Sequence, residues 1–165
     1  MAWLRRIKWN SIHAKLLATY LLLVTLGTSL MAGYILRSLY DYFMQTRQTD
    51  LENSTTALSE SVADALENQD IQRVEVLVQR FGAPKTVTLR VFDPKGRLLA
   101  TSDPQRDRQV KNWYNVPGIQ KALQNYQVQG VAKGVLSTDD RLFIAKPISR
   151  NNRLLGIVRM SITLE

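Results

Sequence analysis

Residues Leu16–Leu36, LLATYLLLVTLGTSLMAGYIL, constrain the chain more than any other stretch: 21 residues without Asp, Glu, Lys, Arg, His, Asn, Gln or Pro. A helix needs about 20 predominantly apolar residues to cross a hydrocarbon core about 30 Å thick. Charged residues bound the run sharply at Lys15 and Arg37. Each Leu or Ile at the centre of such a helix favours insertion by about 0.3–0.6 kcal/mol, whereas one charge there costs about 2.5–3.5 kcal/mol. The run is therefore expected to span a membrane. A cleaved secretory signal fits less well. Its apolar region is usually about 7–15 residues, and the small-residue pattern Gly27-Thr28-Ser29 lies inside the run, with more apolar residues after it.

Charge sets the expected orientation. Arg5, Arg6, Lys8 and Lys15 precede the span with no acid among them, and every Asp and Glu lies beyond it. Basic residues mark the cytoplasmic side, so residues 1–15 are expected to be a cytoplasmic tail and residues 37–165 an extracytoplasmic domain. Trp3, Trp9, Tyr34, Tyr40 and Tyr42 stand near the two interfaces, where amphipathic rings are favoured. The net charge of +8 divides into +4 before residue 16 and +4 after it, 18 basic against 14 acidic. Topology and anionic lipid account for the first share, so the basic balance does not imply nucleic acid. With no cysteine, and one histidine, His13, beside the span, no metal site, cofactor or catalytic group is expected.

Within the span Thr25, Ser29 and Gly33 recur every four residues. They share one helical face, on which small and hydroxyl side chains let two membrane helices approach. This face is a candidate homodimer seam. Between Gly33 and Gly82 there is neither Gly nor Pro, the main helix breakers, so the helix is expected to run on past the membrane. Met44, Leu51, Leu58 and Ala65 repeat every seven residues, with Val62 and Leu66 on the same side. Polar Gln48 and Thr55 weaken the companion row, giving one apolar seam in place of a full coiled coil. Asp70 is placed to cap a second helix, IQRVEVLVQRF, which ends at Gly82, with Pro84 following as a stop signal.

The remainder reads as sheet. Val87, Leu89 and Val91 alternate with Thr86, Thr88 and Arg90, Asp93-Pro94-Lys95-Gly96 makes a turn, and 98–101 returns. A short helix is expected over 117–125, opened by Pro117, then strands near 127–137, 141–149 and 153–164. In the last of these, Leu154, Val158, Met160, Ile162 and Leu164 would line one face. The fold class is α+β: helices over 37–81, then an antiparallel sheet of about five strands over 86–165, with the helices on one face. The pairs Asp139-Asp140 and Asp103/Asp107 could be imagined as carboxylate dyads, but Asp-Asp in a hairpin turn is normally turn chemistry and no nucleophile–base pairing accompanies them; Arg106, Arg108 and Lys111 read as a solvated basic loop.

Three segments carry a family resemblance: VTLRVFDPKGRLLATSDP, NWYNVPGIQKALQN and RLFIAKPISRNNRLLGIVRMSITL. With the basic tail, span and long helix before them, they resemble the N-terminal part of a bacterial sensor histidine kinase of the phosphate-sensor-like type, whose extracytoplasmic domain is PAS-like (PDC, single-Cache). The resemblance implies a two-component signal-input module, dimeric, responding to an extracytoplasmic small molecule or protein. Chemoreceptors and membrane cyclases share the module, and a membrane-anchored adaptor without ligand is the third reading. Such kinases continue into a second span, a HAMP linker and a catalytic region. The chain is thus expected to be an input portion, itself no enzyme. Family ligands lie between the sheet and a cover of loop and short helix, which by position implies Arg90, Trp113, Tyr114, Phe143 and Lys146. The other reading makes these aromatics core and these cations solvated.

Overall fold

The computed structural model describes residues 12–82, 86–135 and 137–164. The basic residues and tryptophans before residue 12, and Pro84, lie outside them. The chain divides into two units, Met1–Thr46 and Arg47–Glu165. Helix α1, Ile12–Glu67, contributes to both.

The described part of the first unit is α1 alone. It is long and apolar enough to cross a membrane. Its large apolar side chains, among them Leu16, Leu22, Leu30 and Leu36, are exposed, as a bilayer-facing surface requires. Thr25 returns its hydroxyl to the Leu21 carbonyl at 2.7 Å, which would leave no orphan donor in an apolar phase. Thr25, Ser29 and Gly33 are exposed, and an added Cβ at Gly33 would meet nothing within 4 Å.

In the second unit the heptad seam becomes core. Leu51, Leu58, Val62 and Ala65 are buried, with polar Thr55 and Ser59 among them. Thr55 is tolerated there because its hydroxyl donates to the Leu51 carbonyl at 2.6 Å, which leaves no unmet polar group. The helix stops at the Asn68–Asp70 break. Helix α2, Ile71–Phe81, follows, and the Asp70 carboxylate accepts from the Arg73 N–H as its N-cap.

Five strands form one antiparallel sheet: β1 Val87–Phe92, β2 Leu98–Thr101, β3 Val128–Lys133, β4 Asp140–Arg150 and β5 Arg153–Thr163, in the spatial order β2-β1-β5-β4-β3. Two short helices lie between β2 and β3: α3, Pro104–Asp107, and α4, Ile119–Leu123. Only α4 was foreseen. Helix α3 sits where a polar loop was expected, with Pro104 at its start and the Asp103 carboxylate capping it. The β1–β2 turn is held by Asp93, whose carboxylate accepts from the N–H groups of Lys95 and Arg97 at 2.8 Å each. Asn151 and Asn152, both at positive φ, make the β4–β5 turn that Asn tolerates best.

Both faces of the sheet are covered, where helices on one face were expected. Against one face Leu89, Val91, Leu142, Ile144, Val158 and Met160 join the α1 and α2 side chains in the larger core. On the other, Phe92, Ala145 and Ile157 meet Val116, Ile119 and Ala122 of the cover formed by α3, α4 and their loop. A register shift between Ile148 and Ser149 alters the expected β5 pattern. Leu155, not Leu154, joins Val158, Met160, Ile162 and Leu164 at the larger core, because an extra residue reverses strand parity.

Candidate functional site

Strand parity decides which side chains reach the cover. Along β1 the odd residues face α1 and α2, so Thr88, Arg90 and Phe92 face the other way, and β5 presents Ile157, Arg159 and Ser161 beside them. Arg90 lies directly opposite Arg159 in the β1–β5 register. Two guanidinium groups thus start from adjacent places on the two central strands, 4% and 2% exposed.

Arg90 is paired with a carboxylate. Its Nε and Nη2 donate to the two carboxylate oxygens of Asp107, both at 2.7 Å. The Thr101 hydroxyl donates to the same carboxylate at 2.5 Å. The fork-to-carboxylate geometry is the strongest that Arg makes. The Trp113 ring lies 5.3 Å from the Arg90 guanidinium carbon and 5.4 Å from the Phe92 ring, edge-on.

Arg159 differs. Its Nε donates to the Pro117 carbonyl at 3.2 Å, and its guanidinium lies 4.8 Å from the Phe143 ring centroid. No carboxylate pairs with it among the described residues. Burial pushes its pKa down to about 9, the positive charge of Arg90 adds to that, and the Asp107 carboxylate opposes it. At neutral pH it remains a buried cation. The neighbouring Arg141 is spoken for, donating to Asp139 at 2.9 Å and to the Thr88 hydroxyl at 2.9 Å.

Gly118 brings the cover close. It takes φ +92° at the start of α4, and a Cβ there would stand 2.8 Å from Phe143 and 2.9 Å from Ala145. Only glycine permits both the backbone and the approach.

Of the five residues expected at the site, Arg90 and Trp113 meet, and Phe143 lies on the same side of the sheet, against Arg159. Tyr114 is half exposed and lines a surface groove with Pro117, Gly118 and Lys121. Lys146 is on the opposite face: its Nζ donates to the Thr56 hydroxyl of α1 at 2.8 Å. The reason is parity, since β4 turns odd residues to the cover and even ones to α1. Asp107, weighed with Asp103 as a carboxylate dyad, is instead a buried acid paired with Arg90. Asp107 and Arg159 escaped the sequence reading, although Arg159 carried a signal: a lone charge inside the apolar run LLGIVRMSI. Among the described residues no group of three or more His, Asp or Glu gathers to hold a metal.

No protein-family model and no curated protein matches the chain. Solved structures do. The sensor domain of the histidine kinase DctB from V. cholerae is 16% identical, with a TM-score of 0.57, over 76% of this chain and 58% of that one. The E. coli DcuS sensor domain is 18% identical, with a TM-score of 0.53, over 70% of this chain and 90% of that one. The ligand-binding domain of the Campylobacter jejuni chemoreceptor Tlp3, solved with L-valine, is 17% identical, with a TM-score of 0.53, over 73% of this chain and 53% of that one. The fold is that of a PDC/Cache-type sensor domain. The chain spans little more than half the length of the DctB and Tlp3 structures, and at these identities the likeness is one of fold.

Proposed function

We propose that the chain is the membrane-anchored, extracytoplasmic signal-input module of a two-component sensor histidine kinase, and that it responds to a small anionic molecule. The observation that carries this is Arg159, a buried guanidinium without a carboxylate partner, between the sheet and its cover. A buried unpaired charge is strongly unfavourable, and an anion entering under the cover would relieve it. The aromatic neighbours Phe143 and Trp113 would bound the ligand. That a Tlp3 domain of the same fold was solved with L-valine supports a small-molecule ligand in this architecture.

Signalling then requires that the ligand favour one of two arrangements, since it shifts an equilibrium only by its differential affinity for the two states. Helix α1 packs on the sheet through Leu58 and Val62 and continues into the apolar run. A change in that packing is the proposed route to the membrane. The basic residues before the run support a cytoplasmic N-terminus, and the Thr25/Ser29/Gly33 face is the proposed dimer seam. Coupling to a chemoreceptor or cyclase output is the alternative, since the Tlp3 domain shares the fold.

Two measurements test the proposal. An alkaline phosphatase fused after Glu165 is expected to be active in cells, and a cytoplasmic fluorescent reporter at the same place dark. The reverse pattern would overturn the orientation. The chain joined to the second span and kinase region of a sensor histidine kinase is expected to change autophosphorylation when anions are supplied, and Arg159→Met is expected to abolish the response. Equal response from the wild-type and Arg159→Met chimaeras would sink the anion site.

A further inference from the structure

The layer between sheet and cover holds three guanidiniums, Arg90, Arg141 and Arg159, and two carboxylates that pair with them, Asp107 and Asp139. Arg141 and Asp139 satisfy each other. The two central guanidiniums, adjacent across β1 and β5, therefore share a single carboxylate, and it comes from the cover. Asp107, at the end of α3, grips Arg90 with both oxygens, its own side chain 1% exposed. Its second anchor, Thr101, is on β2. Two adjacent guanidiniums could together hold a doubly charged anion, but here one half of that site is filled by the protein.

We propose that Asp107 is a built-in half-ligand that restricts the site to a singly charged small carboxylate, held at Arg159 beneath Phe143 and Pro117. The inference rests on the anion-binding reading of this layer given above. The physical reason is charge. One further negative charge brings the two central guanidiniums to balance, and a bidentate carboxylate matches the fork of Arg159. A second carboxylate on the same ligand would face that of Asp107, already seated on Arg90. In a water-poor layer two like charges at close range strongly oppose each other. Specificity here comes from a repulsive element inside the site as much as from the attractive one. Asp107 is then a specificity-determining residue.

The test uses the full chain in phosphatidylcholine nanodiscs, with Trp3→Phe and Trp9→Phe so that Trp113, against Arg90, is the fluorescent reporter. Acetate is the singly charged probe and malonate the doubly charged one, titrated at neutral pH and constant ionic strength against chloride. The wild type is expected to bind acetate saturably and malonate at least about tenfold more weakly, the size of effect one lost charge-assisted hydrogen bond would produce. Asp107→Asn, which keeps the shape and removes the charge, is expected to reverse that ranking. The double variant Arg90→Gln/Asp107→Asn, which leaves no unpaired guanidinium at position 90, is expected to keep acetate binding without gaining malonate. Should Asp107→Asn fold poorly, the wild-type ranking decides, and a wild type that prefers malonate overturns the proposal. An Asp107→Asn protein with the wild-type ranking also overturns it while leaving the anion site standing. Absence of any saturable response to either probe, in the wild type and Arg159→Met alike, removes the anion site and this inference with it.

Discussion

Gly118→Ala probes the joint between cover and sheet. Two effects add at this position. At φ +92° an L-residue is expected to cost about 1–2 kcal/mol in the left-handed region. The new methyl would also stand 2.8 Å from the Phe143 ring and 2.9 Å from the Ala145 Cβ, both on a central strand that cannot retreat, and such overpacking costs about 1–3 kcal/mol. The total is about 2–5 kcal/mol. Gly96→Ala is the matched control. It too sits at positive φ, +76°, but a Cβ there meets only the flexible tip of Leu123 at 3.4 Å, so only the backbone share of about 1–2 kcal/mol applies. A domain of this size loses about 3–5 °C of Tm per kcal/mol. Melting of the full chain in nanodiscs should therefore show a drop of about 3–10 °C for Gly96→Ala and a larger one for Gly118→Ala, up to about 25 °C. The drop should also come with weakened anion binding, because lifting α4 carries away the Pro117 carbonyl that orients Arg159. Equal drops for the two variants would refute the claim that the cover is packed to contact at Gly118.

Three further outcomes are expected. Arg90→Met and Asp107→Leu should each lose about 3–5 kcal/mol by stranding a buried charge, and the double variant should lose less than the sum; strict additivity in chemical denaturation would show that the pair is not coupled. Leu58→Ala, at a fully buried α1 position, should cost about 2–5 kcal/mol, and an unchanged denaturation midpoint would place α1 off the sheet. Burial alone would raise the Asp93 pKa, but hydrogen bonds from the Arg97 N–H and side chain and from the Lys95 N–H outweigh it and hold the carboxyl below its ordinary value. A depressed folded pKa gives stability that is present above the ordinary carboxylate pKa of 3.8 and lost as pH falls through the folded value. Melting from pH 7 down to pH 2 should therefore fall more steeply for the wild type than for Asp93→Asn, and parallel curves would contradict the assignment.

The elements of this fold were legible because their signals are local. The Gly- and Pro-free stretch after Gly33 forecast α1, Asp70 and Gly82 bracketed α2, and period-two alternation gave β1. Site membership was not local. Strand β4 reads RLFIAKPI, apolar on both faces, so nothing in it says whether Ala145 or Lys146 turns toward the cover. Its pairing with β5 decides, and Lys146 goes to Thr56 on α1. The register shift beyond Ile148 likewise exchanges Leu154 for Leu155. Asp107 looked like a loop acid because its partner is 17 residues away on β1. Arg90 and Arg159, single charges within apolar strands, were the one available hint of a charged layer, and only the β1–β5 register puts them together.

The two faces of the sheet treat polarity in opposite ways, and the contrast bears on function. Toward α1 and α2 the buried polar side chains are neutral, and Thr55 and Ser59 return their hydroxyls to α1 carbonyls. Toward the cover, the central strands carry full charges. If stability were the only demand on that layer, apolar residues at positions 90 and 159 would meet it as well or better, since buried ion pairs rarely outperform apolar packing of equal volume. Arg159 is the sharper case, since it lacks even the ion pair. A cation placed at such cost, opposite a cover that supplies one acid for two guanidiniums, fits the anion site proposed above.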